Sequence, residues 1–285
     1  MARQAKTVKR LQTAIEVLGE HHPMTVRQVY YQLVSRQVIK NERTQYQAIS
    51  NLLVDARKSG EIPWEWIEDR LRRPRSVSMW SDLSDFAETV RHAYRRDVWA
   101  SQPGYVEVWL EKDALSGIFE DTLAQYGVTL NVGRGFDGWD SIRNAAGRYQ
   151  HRKHKGARDV TVLYFGDFDP SGEDMVRSLR ERIGWFGYAP KIVKCALTME
   201  DINRYHLPPD FAKKTDSRAA KFIAKHGDVS VELDALPVDV LRERLTTEVE
   251  KRLDLKALAK VRETESAEVE KLVSMLSMDH LEDRT

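Results

Sequence analysis

The sequence predicts an α/β protein in two parts. A basic, helical domain occupies residues 1–100, and a mostly parallel, doubly wound sheet domain with an acidic helical tail occupies 105–285. Three observations carry this reading. From Tyr105 onward, short β-favouring runs alternate with stretches of helical period. Before Tyr105 the period is helical almost throughout. Charge is also segregated: residues 1–75 hold 14 Lys and Arg against 8 Asp and Glu, and residues 230–285 hold 9 against 14, although the net charge is only +1.

The first helix spans Ala5–Glu20, where Val8, Leu11, Ile15 and Leu18 recur at helical spacing and Gly19 and Pro23 end the run. Thr25, with Gln28 three residues on, opens a second helix. At 100° per residue its stripe is Val26, Val29, Tyr30, Leu33 and Val34. Tyr30 falls inside that stripe. Tyr31 falls off its centre, on the side of Arg27, and is expected to be at least partly presented. Thr44–Ser59 forms a third helix closed by Gly60. Ile62, Trp64 and Trp66 then alternate like a short strand, and Arg70, Arg72, Arg73 and Arg75 form a basic cluster. Three short helices, a strand-like piece and a basic segment predict a winged helix-turn-helix. Gln45, Gln47, Asn51 and Lys58, with Arg70, Arg72 and Arg73, are its candidate contacts to double-stranded DNA; a helical bundle with a polar outer face is the alternative. Asp82–Trp99 is a further helix, and Ser101–Gly104, reading SQPG, is the best linker.

In the second part, Tyr105–Leu110 is a strand followed at once by Glu111, Lys112 and Asp113. A helix runs to about Tyr126, Val128–Val132 is the next strand, and a glycine-rich turn leads into a helix reaching about His151. His151 and His154 in the basic loop HRKHKG are expected to be solvated rather than metal ligands. Val160–Phe165 is the third strand. Gly166 breaks it, and Asp167 and Asp169 follow, two apart, so that both carboxylates point one way in an extended chain. Pro170, Ser171 and Asp174 read as a helix start, and that helix runs to about Gly184. Pro190–Leu197 is the last strand. Ligands of open α/β sheets bind at the carboxyl edge of the strands. If the first and third strands are neighbours, Glu111, Asp167 and Asp169 converge there. Close carboxylates repel unless a cation lies between them, and hard oxygens select Mg²⁺, with Mn²⁺ as a substitute. The stretch VELDALPVDVLRERLTTEVEKRLD ends in an amphipathic helix, Leu255–Leu281 reads as another, and this acidic tail could pack on the sheet or join subunits.

Composition excludes several classes. The only cysteine is Cys195, so there is no disulfide framework and no thiolate zinc site. No apolar run reaches membrane-spanning length, and MARQAKTVKR lacks a signal-peptide core. A cytoplasmic, nucleoid-associated protein with no membrane partner is expected.

A strand ending in Glu and a later strand ending in Asp-x-Asp resemble the Toprim domain. The strings Leu110-Glu111-Lys112-Asp113-Ala114 and Asp167-Phe168-Asp169-Pro170-Ser171-Gly172 are similar to those of the topoisomerase VI A subunit and related meiotic double-strand-break proteins, in particular their small "mini-A" relatives. In those families a winged-helix domain precedes the Toprim domain and carries the nucleophile in a Thr-x-Arg-x-x-Tyr-Tyr-like string. Here that string is Thr25-Val26-Arg27-Gln28-Val29-Tyr30-Tyr31, although an acid often stands where this chain has Gln28. The resemblance implies that Tyr31 attacks a DNA phosphate and becomes linked to the 5′ end. Arg27 would favour the phenolate or bind that phosphate. Asp167 and Asp169 would hold Mg²⁺, with Glu111 as a further ligand or the general acid. It also implies a homodimer in which each tyrosine meets the partner's metal site, and a separate ATPase B subunit; the chain itself has no Gly-x-x-x-x-Gly-Lys-Ser/Thr string. Other chemistries use the same acids. A Toprim nuclease would employ water as nucleophile. A phosphotransferase would attack with the first Asp, but such enzymes usually carry that pair on their first strand. A non-catalytic DNA-binding module would need none of the three acids.

Overall fold

The computed structural model of the chain describes residues 4–68, 77–133, 138–209 and 218–282. Helices α1 (Ala5–His21), α2 (Val26–Ser35) and α3 (Arg43–Lys58) form where helical spacing predicts them. They bury Leu11, Val17 and Leu18, Val29, Tyr30 and Leu33, and Ile49, Leu53 and Ala56 in one core. The capping box of α2 is complete: Thr25 Oγ1 accepts from Gln28 N–H at 3.3 Å, and Gln28 Oε1 accepts from Thr25 N–H at 2.6 Å.

The expected strand at Ile62–Trp66 is absent: Trp64–Trp66 is a single 3₁₀ turn. Pro63 lacks an N–H and holds φ at −57°, which suits a turn start better than a ladder. Arg57 then fixes the turn by donating to Trp64 O at 2.6 Å and stacking on the Trp64 ring at 4.2 Å. One parallel bridge, Met24 to Ile67, ties the segment back to the connection between α1 and α2. The basic cluster Arg70, Arg72, Arg73 and Arg75 lies outside the described residues.

Helix α4 is Leu83–Ala93, shorter than expected, because the chain turns extended at Tyr94 and coils once more only at Val98–Ser101. Ser101–Gly104 is not a free linker. Gln102 is buried, its Nε2 donating to Asp254 O at 3.1 Å and its Oε1 accepting from Asp254 N–H at 2.7 Å.

The second part alternates as predicted: β1 (Tyr105–Leu110), α5 (Ser116–Ala124), β2 (Thr129–Val132), α6 (Trp139–His154), β3 (Val160–Phe165), α7 (Pro170–Gly184) and β4 (Lys191–Ala196). The sheet is parallel throughout, in the order β2-β1-β3-β4. Its two central strands are buried along their whole length, which is why both read as continuous apolar runs. One polar residue interrupts β1. Glu107 is fully buried and accepts from Tyr105 Oη, Tyr149 Oη, Asn131 Nδ2 and both Arg148 donors at 2.7–3.1 Å. The HRKHKG stretch is not a loop at its start. Helix α6 continues through His154 and leaves both histidines exposed.

The rest of the chain is α8 (Met199–Arg204), α9 (Ala219–His226), α10 (Val238–Glu250) and α11 (Leu255–Glu282). Helix α10 packs on α5 and β4, and α11 packs on α4, where Arg91 reaches Glu270 at 2.8 Å and Tyr94 Oη donates to Glu268 at 2.8 Å. Among the described residues no helix is long and apolar enough to cross a membrane.

Candidate functional site

Strand register decides where the acids emerge. Leu110 pairs with Phe165 on one side and Val132 on the other, so β1 and β3 end level. Glu111 extends the ladder by one bond, its N–H donating to Phe165 O at 2.9 Å. Its Oε2 accepts from Tyr164 Oη at 2.8 Å and from Asp167 N–H at 3.1 Å. Glu111 is therefore held against the backbone of Asp167, as the neighbouring-strand argument required. Gly166 makes this possible: a Cβ there would stand 2.2 Å from Tyr164 Oη and 2.5 Å from Glu111 Oε2.

Asp169 has a second task. It is the N-cap of α7, and its Oδ1 accepts from Gly172 N–H at 2.6 Å. The predicted start at Ser171 and Asp174 is thus displaced by two residues, since Pro170 occupies the first helical turn and Asp174 pairs bidentately with Arg177 at 2.7 and 2.8 Å. Gly172 is also obligatory, because a Cβ would lie 2.2 Å from Asp167 O.

Asp167 faces a different set of partners. Its Oδ1 accepts from Leu233 N–H at 2.8 Å, and its Oδ2 lies 3.0 Å from Lys112 Nζ. The segment carrying Leu233 folds over the sheet edge, anchored by the antiparallel bridge between Phe168 and Val231. It brings Glu232 and Asp234 with it. Lys112 Nζ is 3.3 Å from Glu232 Oε2 and 4.0 Å from Asp234 Oδ1. Across the gap, α2 supplies Arg27, whose Nη2 donates to Glu232 Oε2 at 2.5 Å and whose Nε donates to Asp234 Oδ2 at 3.1 Å. The Tyr31 hydroxyl donates to the same Glu232 oxygen. Ser35 Oγ closes the contact by donating to Ala235 O at 3.0 Å.

Tyr31 is consequently not presented to solvent. It is 8% exposed, because the face of α2 that lies off the apolar stripe is covered by residues 233–235. Tyr30 is core as expected, with Glu42 N–H donating to its hydroxyl at 2.8 Å. The cluster still opens outward: the side chains of Arg27 and Glu232 are 43% and 34% exposed, above a fully buried Asp234.

The electrostatics follow from burial and pairing. Burial pushes the Tyr31 phenol above its usual range, and the bond to Glu232 and the nearby Asp234 charge push it further. Burial raises Asp167 to about 7, against the pull of Lys112. Asp234 rises to about 6 for the same reason. For Glu232 burial also acts upward, but the Lys112 charge and the donors from Tyr31 and Arg27 overcome it and bring the carboxyl down to about 2.

The acids fit Mg²⁺ in donor chemistry. All are hard oxygens, and the raised Asp167 is a carboxylate whose charge a cation would relieve. As arranged, however, they are engaged by Lys112 and by backbone N–H groups, and among the described residues no three His, Cys, Asp or Glu side chains group as metal ligands. The predicted DNA contacts on α3 divide. Asn51 and Lys58 are exposed, with Gln47 donating to Asn51 at 3.0 Å, whereas Gln45 turns toward α1 and accepts from Arg10 at 2.6 Å. The sequence reading missed Glu232 and Asp234. Their signal was present: Val231-Glu232-Leu233-Asp234-Ala235 repeats the alternation of acids seen at Asp167 and Asp169.

Comparison with protein-family models, with curated proteins and with solved structures returned no match for this chain.

Proposed function

We propose that this chain is a Mg²⁺-dependent DNA-cleaving transesterase in which Tyr31 attacks a backbone phosphate and becomes joined to the 5′ end. One observation supports the reading above others. A single lysine, Lys112, bridges the carboxylate bonded to the Tyr31 hydroxyl and the carboxylate of Asp167. A phosphate within reach of the phenol is then also within reach of the acidic sheet edge. The half-exposed Arg27 guanidinium is the natural contact for its oxygens, with Lys112 behind it. Glu111, Asp167 and Asp169 would hold Mg²⁺, which supplies charge stabilisation to the leaving 3′ oxygen when bound. The exposed stripe of Gln47, Asn51 and Lys58 on α3 would carry the duplex.

The resemblance pairs each phenol with the metal acids of another subunit; within one chain Tyr31 meets Glu232, which Lys112 links to Asp167. A homodimer would still place one such site on each strand of a duplex. Strand passage would fall to a separate ATPase subunit. One observation favours a second reading, a nuclease that uses water. Tyr31 is nearly buried and already bonded to Glu232, which suits a packing role.

The deciding experiment incubates the protein with supercoiled plasmid and Mg²⁺ and stops it with detergent. Protein joined to 5′ ends, and lost in Tyr31→Phe, is the expected result. Free ends that persist in Tyr31→Phe and vanish in Asp167→Ala would replace the transesterase by the nuclease.

A further inference from the structure

Attack by a phenol requires that its proton go somewhere. The hydroxyl of Tyr31 has one described hydrogen-bond partner, Glu232 Oε2, and that oxygen also receives Arg27 Nη2 at 2.5 Å and Lys112 Nζ at 3.3 Å. Three donors, two from α2 and one from the turn after β1, thus converge on one carboxylate oxygen. With its cations in place Glu232 is a weak base, since both positive charges stabilise its ionised form. Those same two cations are the ones an incoming phosphate would engage. Arg27 and Lys112 can each turn a donor toward phosphate oxygens, and Arg27 keeps Asp234 as a second anchor at 3.1 Å. Every donor given to the phosphate is one withdrawn from Glu232.

We propose that Glu232 is the proton acceptor for Tyr31, and that the scissile phosphate activates it by drawing Arg27 and Lys112 off its Oε2. This rests on the transesterase reading. In the step, the Tyr31 oxygen bonds to phosphorus and its proton passes to Glu232. The bond from phosphorus to the 3′ oxygen breaks, and the departing oxygen takes a proton from water. In resealing, the 3′ hydroxyl bonds to phosphorus and gives its proton to hydroxide from solvent, the bond from phosphorus to the Tyr31 oxygen breaks, and Glu232 returns its proton to the departing phenol. The charged and titratable groups facing Glu232 are Tyr31 and Arg27 from α2, Lys112 from the turn after β1, and Asp234 from its own segment; Asp167 lies beyond Lys112. The device keeps a nucleophile inert until a phosphate arrives.

The test compares wild type, Glu232→Gln and Tyr31→Phe for the rate of covalent attachment to plasmid DNA with Mg²⁺ between pH 6 and 10. Loss of a general base costs roughly 10²–10⁴-fold, so Glu232→Gln should attach that much more slowly near neutrality. Its rate should then climb about tenfold per pH unit as hydroxide takes over, while DNA retention on a filter is not weakened, because Arg27 and Lys112 lose a competing carboxylate. A Glu232→Gln rate equal to wild type at every pH overturns the assignment and leaves the transesterase standing. So does a loss that alkali does not recover. Absence of attachment by wild type, or attachment that survives Tyr31→Phe, overturns the transesterase reading itself. A second measurement is independent of cleavage. In ultraviolet titration, with Tyr31→Phe as the subtraction, the Tyr31 phenol should ionise at lower pH in Glu232→Gln than in wild type, and an unchanged curve overturns the contact.

Discussion

Lys112→Met tests whether the cluster at the sheet edge is held by one buried cation. Methionine matches the lysine stem in length and keeps its packing, so the change removes charge and little else. The ammonium is 15% exposed and lies within 4.0 Å of three carboxylates, of which Asp234 is fully buried and Asp167 is 12% exposed. Burial works against the Lys112 charge, yet Asp234, Asp167 and Glu232 together hold it above its usual range. Deleting one partner of a buried ion pair strands the other, at a cost of about 3–5 kcal/mol. Urea unfolding followed by circular dichroism reads this as a lower midpoint at unchanged slope. The decisive variant is the double one. Lys112→Met with Asp167→Asn removes a stranded charge along with its partner, so it should be more stable than Lys112→Met alone. If the single change costs under about 1 kcal/mol, the site is screened as a surface pair would be, and the reasoning fails. If the two changes simply add, Lys112 and Asp167 are not coupled.

Three further outcomes follow from the geometry. Gly172→Ala forces a methyl group to 2.2 Å from Asp167 O, so it should destabilise the fold by about 1–3 kcal/mol and abolish cleavage; wild-type melting would refute the close approach. Thr25→Ala removes the α2 cap and should cost about 1 kcal/mol, read in the same urea titration. Arg244 grips Asp201 bidentately at 2.6 and 2.7 Å and also donates to Cys195 O, joining α10 to α8 and β4. Burial acts to raise Asp201, but the bonds from Arg244 and Thr198 prevail and hold it below the usual carboxylate range. Its folded pKa is thus lower than its unfolded one, so its contribution is complete above about pH 4 and fades as the pH falls further. Arg244→Met should cost about 3–5 kcal/mol at pH 7, and the gap from wild type should narrow below pH 4.

Much of the fold was legible in one dimension. Strands buried on both faces leave continuous apolar runs, so β1 and β3 could be read from Tyr105–Leu110 and Val160–Phe165 without knowing their neighbours. Helical period likewise gave α1 to α3 within a residue or two. The expected strand at Ile62–Trp66 was misread because alternation of Ile62, Trp64 and Trp66 imitates a strand, while Pro63 and the Arg57 side chain decide for a turn. The helix start at Asp169 was missed because a residue chosen for its acid is also an N-cap.

The amino-acid order by itself determined the parallel α/β class, the acids at the strand ends and the placing of Tyr31 off its helix's apolar stripe. These depend on period and on neighbours a few positions away. Only the tertiary structure decided what Tyr31 meets. Glu232 is 201 positions distant, and an amphipathic pattern records that a face is covered without recording by what. Charge pairing across such a distance depends on how a sheet edge and a returning segment are brought into register, and no local spacing encodes that.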